Sequence, residues 1–156
     1  MRVVIAAVGR ARAGPERALY EHYRARISKQ VFSHLTLKEV ELRQAAPPAE
    51  LAEREGALLL AALPPEAVAI ALDETGETLS SEALARLVAA QRDAGARHLA
   101  FVIGGADGLS DDVRARARHV LSFGQVTWPH MLVRALLAEQ LYRVQCILTG
   151  HPYHRA

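Results

Sequence analysis

The chain has 156 residues, 51% of them apolar and 23% charged, with a formal net charge of +2. That is enough chain to bury a core without staples, and the balance is that of a globular protein and not of a disordered one. Two classes are excluded at once: no apolar run approaches the length of a membrane span, and the charge is too small for nucleic acid held by bulk electrostatics, which needs a clustered basic footprint. A lone cysteine, Cys146, precludes an internal disulfide and fits a reducing compartment, so the cytoplasm is the expected address. It sits in a helical apolar run and reads as a small buried hydrophobe. The charge is unevenly placed. From His130 onward, Arg134, Arg143 and Arg155 stand against Glu139 alone, so this segment carries the net charge, together with three of the seven histidines.

In chain order, "MRVVIAAVGR" holds a short apolar run, Val3 to Val8, that lacks the basic flank of a signal segment and reads as a buried strand. Pro15 opens a helix with Leu19, Tyr23 and Ile27 on one stripe. Leu35 to Leu42 ("LTLKEVEL") is a mixed strand that belongs near a sheet edge. Ala45 to Ala49 ("AAPPA") is a loop or helix start, and a helix follows from Pro48 to Leu63, stopped by Pro64-Pro65. Val68 to Leu72 is a continuous apolar strand. A helix after Ser80-Ser81 shows Leu84, Leu87 and Val88 and stops at Gly95. Leu99 to Ile103 is again continuous, and Ser110 with Asp111 and Asp112 caps a further helix. Val120 to Phe123 is the last strand. The last helix carries Val133, Leu137, Leu141, Val144 and Leu148, and Gly150 ends it. Continuous strands alternating with helices predict a three-layer α/β sandwich with a mostly parallel sheet of five to six strands. With no linker, internal repeat or low-complexity block, residues 1–156 read as one domain.

In open α/β sheets ligands bind outside the carboxyl ends of strands. Three such ends are rich in glycine or turn residues: "ALDETG", "IGGADGLS" and "FGQVTWPH". A phosphate loop fails, because Pro15-Glu16 stands where Lys-Ser/Thr is required, and the dinucleotide fingerprint is absent after the first strand. Glycines that merely turn the chain explain one loop better than three, which favours a nucleotide-like or adenosine-like ligand. His151 and His154 are spaced i, i+3 without the further ligands a zinc site needs, so no metal is expected. No G-x-S-x-G elbow motivates a serine triad, and adjacent Asp73-Glu74 make a poor glycosidase pair. The tail "HPYHRA" is dense in proton-handling groups, with the stiff Pro152 and the anchoring Tyr153, where chain ends ordinarily fray.

At this point the sequence resembles a known family over essentially its whole length. "VTWPHMLVRALLAEQLYRVQCILTGHPYHR" is similar to the C-terminal signature of the RlmH family, SPOUT-class methyltransferases of the bacterial large ribosomal subunit. "FVIGGADGL", "LDETGETLSSEALA", "MRVVIAAVG" and "EREG" match its other blocks. The resemblance implies S-adenosylmethionine as methyl donor, N3 of a pseudouridine in 23S rRNA as acceptor, a deep C-terminal trefoil knot and a homodimer with the site near the subunit interface. It implies no metal, membrane or DNA. By matching position the donor touches Leu72, Gly104, Gly105 and the turn Gly124, Gln125, Val126, Thr127, Trp128 and Pro129. The sequence departs from the family at Gly124-Gln125, where relatives often carry Ser-Lys, and at Trp128, where they carry a smaller Phe or Leu.

Methyl transfer from a sulfonium is an in-line displacement on an imide nitrogen that must lose its proton. The tail and last helix supply candidates: His154 for the proton or the base, Arg155 and Arg143 for the developing anion or a phosphate, and Tyr153 for packing on the base. His130, Arg134, Tyr142 and His151 complete the expected substrate side. The small net charge favours a substrate read by shape, an assembled ribosome over free RNA. Two other classes are a non-catalytic ribosome-binding factor, which would lose donor binding, and a Rossmann-type nucleotide enzyme, against which the missing fingerprints count.

Overall fold

A computed structural model describes residues 1–43 and 46–154. The expected loop or helix start at 45–49 is thus covered from residue 46, and Arg155 lies outside the described residues. Five strands form one all-parallel sheet in the order β2-β1-β4-β3-β5: β1 is Arg2–Val8, β2 His34–Val40, β3 Val68–Thr78, β4 His98–Ile103 and β5 His119–Ser122. The helices are α1 (Pro15–Arg26), α2 (Pro48–Ala62), α3 (Ser81–Asp93), α4 (Asp111–Arg116) and α5 (His130–Thr149), followed by a 3-10 turn at Pro152–His154.

The three continuous apolar runs became the three central strands, and the mixed run became the edge strand β2, which ends at Val40 and not Leu42. Alternate residues of each central strand feed opposite layers. Val3, Ile5 and Ala7 pack with Tyr20, Leu84, Val88, Leu137 and Leu141 under α1, α3 and α5. Ala6, Val8 and Val102 pack with Leu59, Leu109 and Val113 under α2 and α4. Ser80 and Ser110 act as the expected caps, each accepting from the backbone N–H three residues on.

Two elements differ from the sequence reading. On α1 the buried residue is Tyr20, while Leu19 is 38% exposed. Tyr23 and Ile27 pack inward as expected, and Tyr20 takes the place of Leu19, because an aromatic body fills the space against α5 and Leu19 faces out. The second difference is β3, which does not stop at Leu72. Leu72 pairs with both Ile103 and Leu121; the chain then bulges and pairs again, Glu77 with Leu121 and Thr78 with Ser122.

Side-chain hydrogen bonds hold that bulge. Thr75 donates its N–H and hydroxyl to Asp73 Oδ1 at 3.0 and 2.6 Å, and Arg114 donates to Asp73 Oδ2 at 2.9 Å. Burial alone would raise the Asp73 carboxyl, but the Thr75 bonds and the Arg114 charge outweigh it and hold it below the usual range. Gly76 crosses β5 so closely that a Cβ there would lie 2.5 Å from the Leu121 carbonyl carbon and 2.7 Å from its nitrogen. A methyl group has nowhere to go. Gly76→Ala is expected to cost about 1–3 kcal/mol, the usual range for overpacking, seen as a lowered urea midpoint. An unchanged midpoint would show that the bulge yields.

Candidate active site

The carboxyl ends of β4, β3 and β5 lie side by side, because Leu72 is in register with Ile103 on one side and Leu121 on the other. Their loops therefore converge. After β4 the chain makes a tight turn, with Gly108 N–H donating to Gly105 O at 3.2 Å. Gly104 packs directly against the Gly108 carbonyl, where a Cβ would overlap backbone. After β5 the loop turns at Gly124 with φ +104°, a left-handed conformation that side chains resist. Both ends of this loop are tied. Ser122 Oγ bonds the Gly124 backbone at 3.0 and 3.2 Å, and Trp128 Nε1 donates to Phe123 O at 3.3 Å. Its middle stands out: Val126 is 63% exposed and Trp128 40%.

Beside this loop lies a cavity of about 280 Å³. Its apolar wall is Leu79, Leu84, Leu121 and Leu136, closed by Phe123 and Trp128, and its polar wall is Ser81, Glu139 and Gln140. Ser81 Oγ donates to Gln140 Oε1 at 2.8 Å, which fixes α3 against α5 at this point. Of the positions expected to hold the donor, Trp128 lines the cavity. Leu72, Gly104 and Gly105 sit at the neighbouring strand ends, and Gln125, Val126, Thr127 and Pro129 form the exposed stretch of the loop. Thr78, Leu79, Ser81, Leu136, Glu139 and Gln140 were missed from sequence. Leu136, Glu139, Gln140 and Arg143 share one helical face at i, i+3, i+4 and i+7, a polar-apolar mixture that periodicity alone does not flag.

The tail folds back onto this helix. Tyr153 packs on Tyr142 at 4.7 Å between centroids with the rings tilted by 59°, and the Arg26 and Arg143 guanidiniums lie 5.2 and 4.9 Å from its ring. Its hydroxyl donates to Glu139 Oε1 at 3.1 Å. The same oxygen accepts from Arg143 Nε and Nη2 at 3.0 and 2.6 Å, while Gln140 donates to Oε2 at 2.7 Å. His154 Nε2 lies 2.9 Å from Glu82 Oε1 at the start of α3, and His151 Nδ1 accepts from the Tyr153 N–H at 3.2 Å. Burial chiefly, with the bonded Tyr23 and Glu139, pushes the Tyr153 phenol well up, and the Glu139 bond raises Arg143 further. Tyr153 therefore stays a donor and Arg143 a cation across the working pH range. Glu139 is the shared member: it lines the cavity and holds the tail.

Two expected substrate contacts occupy other positions. Arg134 is 1% exposed, donating to Glu39 Oε1 at 2.7 Å, to Gly9 O at 2.8 Å and to Val8 O. Its guanidinium joins α5 to the ends of β1 and β2, so it braces the fold and does not face an RNA base. Tyr142 is 5% exposed beneath Tyr153 and Arg26, a platform for the tail. His130, half-buried at the start of α5, is held below its ordinary value of 6.5 by burial and then by Arg134. An unfolded chain therefore takes up that proton first as pH falls. The stability owed to neutral His130 is complete above about pH 6.5 and drains away below it. His130→Asn is expected to flatten the thermal-midpoint profile below about pH 6.5; a profile unchanged by the substitution would assign the slope elsewhere.

Comparison with known proteins identifies the family. A family model described as a predicted SPOUT methyltransferase covers residues 1–154. The chain belongs to the SPOUT methyltransferase family. Full-length relatives agree: it is 58% identical over 156 residues to a protein of Rhodospirillum centenum named ribosomal RNA large subunit methyltransferase H, with 100% of both chains covered. Proteins of the same name from Paramagnetospirillum magneticum and Rhodospirillum rubrum are 54% and 53% identical, covering 99% and 100% of each chain. That is the family its C-terminal run resembles. SPOUT methyltransferases use S-adenosylmethionine in general, and the all-parallel sheet with helices on both faces is the fold expected of them. Among the described residues no cluster of metal-ligating side chains occurs and no helix is long and apolar enough to cross a membrane.

Proposed function

We propose that this protein transfers a methyl group from S-adenosylmethionine to N3 of a pseudouridine in the 23S rRNA of the assembled ribosome. The observation that carries the reading is the union of cavity and tail: one carboxylate, Glu139, lines the cavity and binds Tyr153 and Arg143. Relatives named for large-subunit rRNA methylation, 53 to 58% identical along the whole chain, support the substrate class. The pseudouridine nitrogen follows the resemblance of the C-terminal run.

The residues fit the donor. The leucine wall and the Trp128 ring suit an adenine, and Ser81 and Gln140 offer hydroxyl and amide partners for a ribose. The exposed loop Gly124–Pro129 and the strand ends at Leu72, Gly104 and Gly105 would hold the remainder through backbone. Once bound, the donor supplies an electrophilic methyl carbon, and the protein's task is to place the acceptor nitrogen behind it. In this reading His154, whose Nε2 rests on Glu82 and whose Nδ1 is buried, would take the imide proton once substrate displaces the Glu82 contact, and Arg143 and Arg155 would stabilise the negative charge left on the base. His151 is exposed and available to RNA.

The same reading includes one domain, a cytoplasmic enzyme, a homodimer and the trefoil knot. Exposed Leu19, Val126 and Trp128 are apolar surface that a second subunit would cover. The close approach of Gly76 to the Leu121 backbone leaves the room that a tightly threaded chain would need.

The test is transfer of labelled methyl from S-adenosylmethionine into ribosomes lacking the modification, by the intact protein and by one truncated before His151. Label in a pseudouridine-bearing fragment with the intact protein only is the expected result. Equal labelling by both would reduce the tail to an anchor. No labelling by either, on ribosomes that a relative modifies, would leave a ribosome-binding factor.

A further inference from the structure

The amino end of the sheet, opposite the candidate active site, carries a concentration of positive charge that nothing in the proposed reaction uses. Strands β4 and β5 are both entered through the tripeptide Ala-Arg-His: Ala96-Arg97-His98 and Ala117-Arg118-His119. Strand β1 is entered at Arg2, in register with His98 on one side and His34 on the other. Parallel register puts those three side chains on one face, one strand spacing of about 4.8 Å apart.

A cleft of about 530 Å³ opens at this edge, lined by Arg2, Arg92, Arg97, His98 and Ser33, with Glu66 its one carboxylate. Arg92 pairs with its neighbour Asp93 at 3.0 Å. Arg2, Arg97 and Arg118 are exposed, and among the described residues none has a carboxylate within ion-pair distance. Arg12, Arg26, Arg86 and Arg116 lack one too, so what sets this edge apart is the grouping of its arginines at strand entries and not the missing partner alone. Arg2 and Arg97 enter adjacent strands, where unpaired guanidiniums repel one another, and Arg118 enters β5, one strand beyond the neighbouring β3. Their matching chemistry is a row of phosphates, which a planar guanidinium binds in bidentate fashion.

We infer that this amino edge, centred on Arg2, Arg97 and Arg118, is a docking surface for RNA phosphate backbone. The inference rests on the rRNA reading above and extends it to a second contact. The six-residue strand β4 separates the two ends by about 20 Å, so the edge would grip rRNA well away from the methylated base. It also reconciles a net charge of only +2 with an RNA substrate, because the cations are concentrated where they are needed.

The test is binding of the full chain to ribosomes by co-sedimentation across a salt series, with methyl transfer measured in parallel. Arg2→Ala/Arg97→Ala is expected to weaken binding about tenfold near physiological salt and to lower the slope of log affinity against log salt by about 1–2. Maximal turnover at saturating ribosomes and affinity for S-adenosylmethionine should stay unchanged, and the Lys-Lys pair should restore most binding. Arg118→Ala supplies the same readout should the double variant fail to fold. Unchanged affinity and slope would overturn the inference, as would wild-type protein that does not sediment with ribosomes. Wild-type protein that binds through this edge and transfers no methyl would uphold the docking surface and bring down the methyl-transfer reading alone.

Discussion

Arg134→Ala is expected to lower the free energy of unfolding by about 3 kcal/mol, at the lower end of the cost of breaking a buried ion pair. The guanidinium is 1% exposed and serves three acceptors on two strands: Glu39 Oε1, Gly9 O and Val8 O. Truncation leaves both carbonyls and the carboxylate facing an empty space, which costs far more than the lost attraction. Glu39 keeps the Ala11 N–H at 2.8 Å and Arg17 at 3.6 Å, which places the loss at the lower end. Equilibrium urea unfolding reads the result directly, and a loss below about 1 kcal/mol would show that water replaces the guanidinium. The double variant Arg134→Met/Glu39→Leu should lose less than the sum of the single changes, because no orphaned charge remains. The effect reaches the site as well. Arg134 fixes the first turn of α5, immediately after the loop Gly124–Pro129, so turnover should fall with stability in the single variant.

Arg134 also shows where sequence reasoning stops. An arginine one turn into a helix, near a histidine and a glycine-rich loop, reads as a substrate contact, since isolated arginines are rarely buried. Only the register of β1 against β2 brings Glu39 and two free strand-end carbonyls to it. Burial of the continuous runs Val3 to Val8 and Leu99 to Ile103 was legible because a strand covered on both faces has no polar alternation. The extension of β3 was not, because Asp73 and Thr75 bond to each other locally and make a strand segment look like a turn. The loops that converge were legible from glycine placement. The cavity wall was not, since Ser81, Glu139 and Gln140 meet only through the packing of α3 on α5. The tail was singled out for its chemistry, and its attachment through Glu139 is the part that needed coordinates.

That attachment sets the second large effect: Glu139→Ala is expected to cut maximal methyl transfer roughly 100-fold, the scale of a misplaced catalytic group. Glu139 Oε1 accepts the Tyr153 hydroxyl and two Arg143 donors. Without it the turn Pro152–His154 keeps the tilted packing on Tyr142, the Arg26 cation over the Tyr153 ring and the contact of His154 with Glu82. Arg143, now uncompensated, is free to swing to solvent. Glu139 acts through these residues, so it is a positioning residue, and the constants should divide accordingly. Turnover falls most and affinity for S-adenosylmethionine falls less, because the leucine wall and Trp128 remain although Glu139 lines the same cavity and holds Gln140. Glu139→Gln retains an acceptor oxygen for Tyr153 but loses the charge that holds Arg143, and should fall about tenfold, between wild type and alanine. A merely structural Glu139 would instead lower the thermal midpoint and both constants together. Full turnover in the alanine variant would detach the tail from the chemistry, since no other side chain joins Tyr153 and Arg143 to the cavity among the described residues.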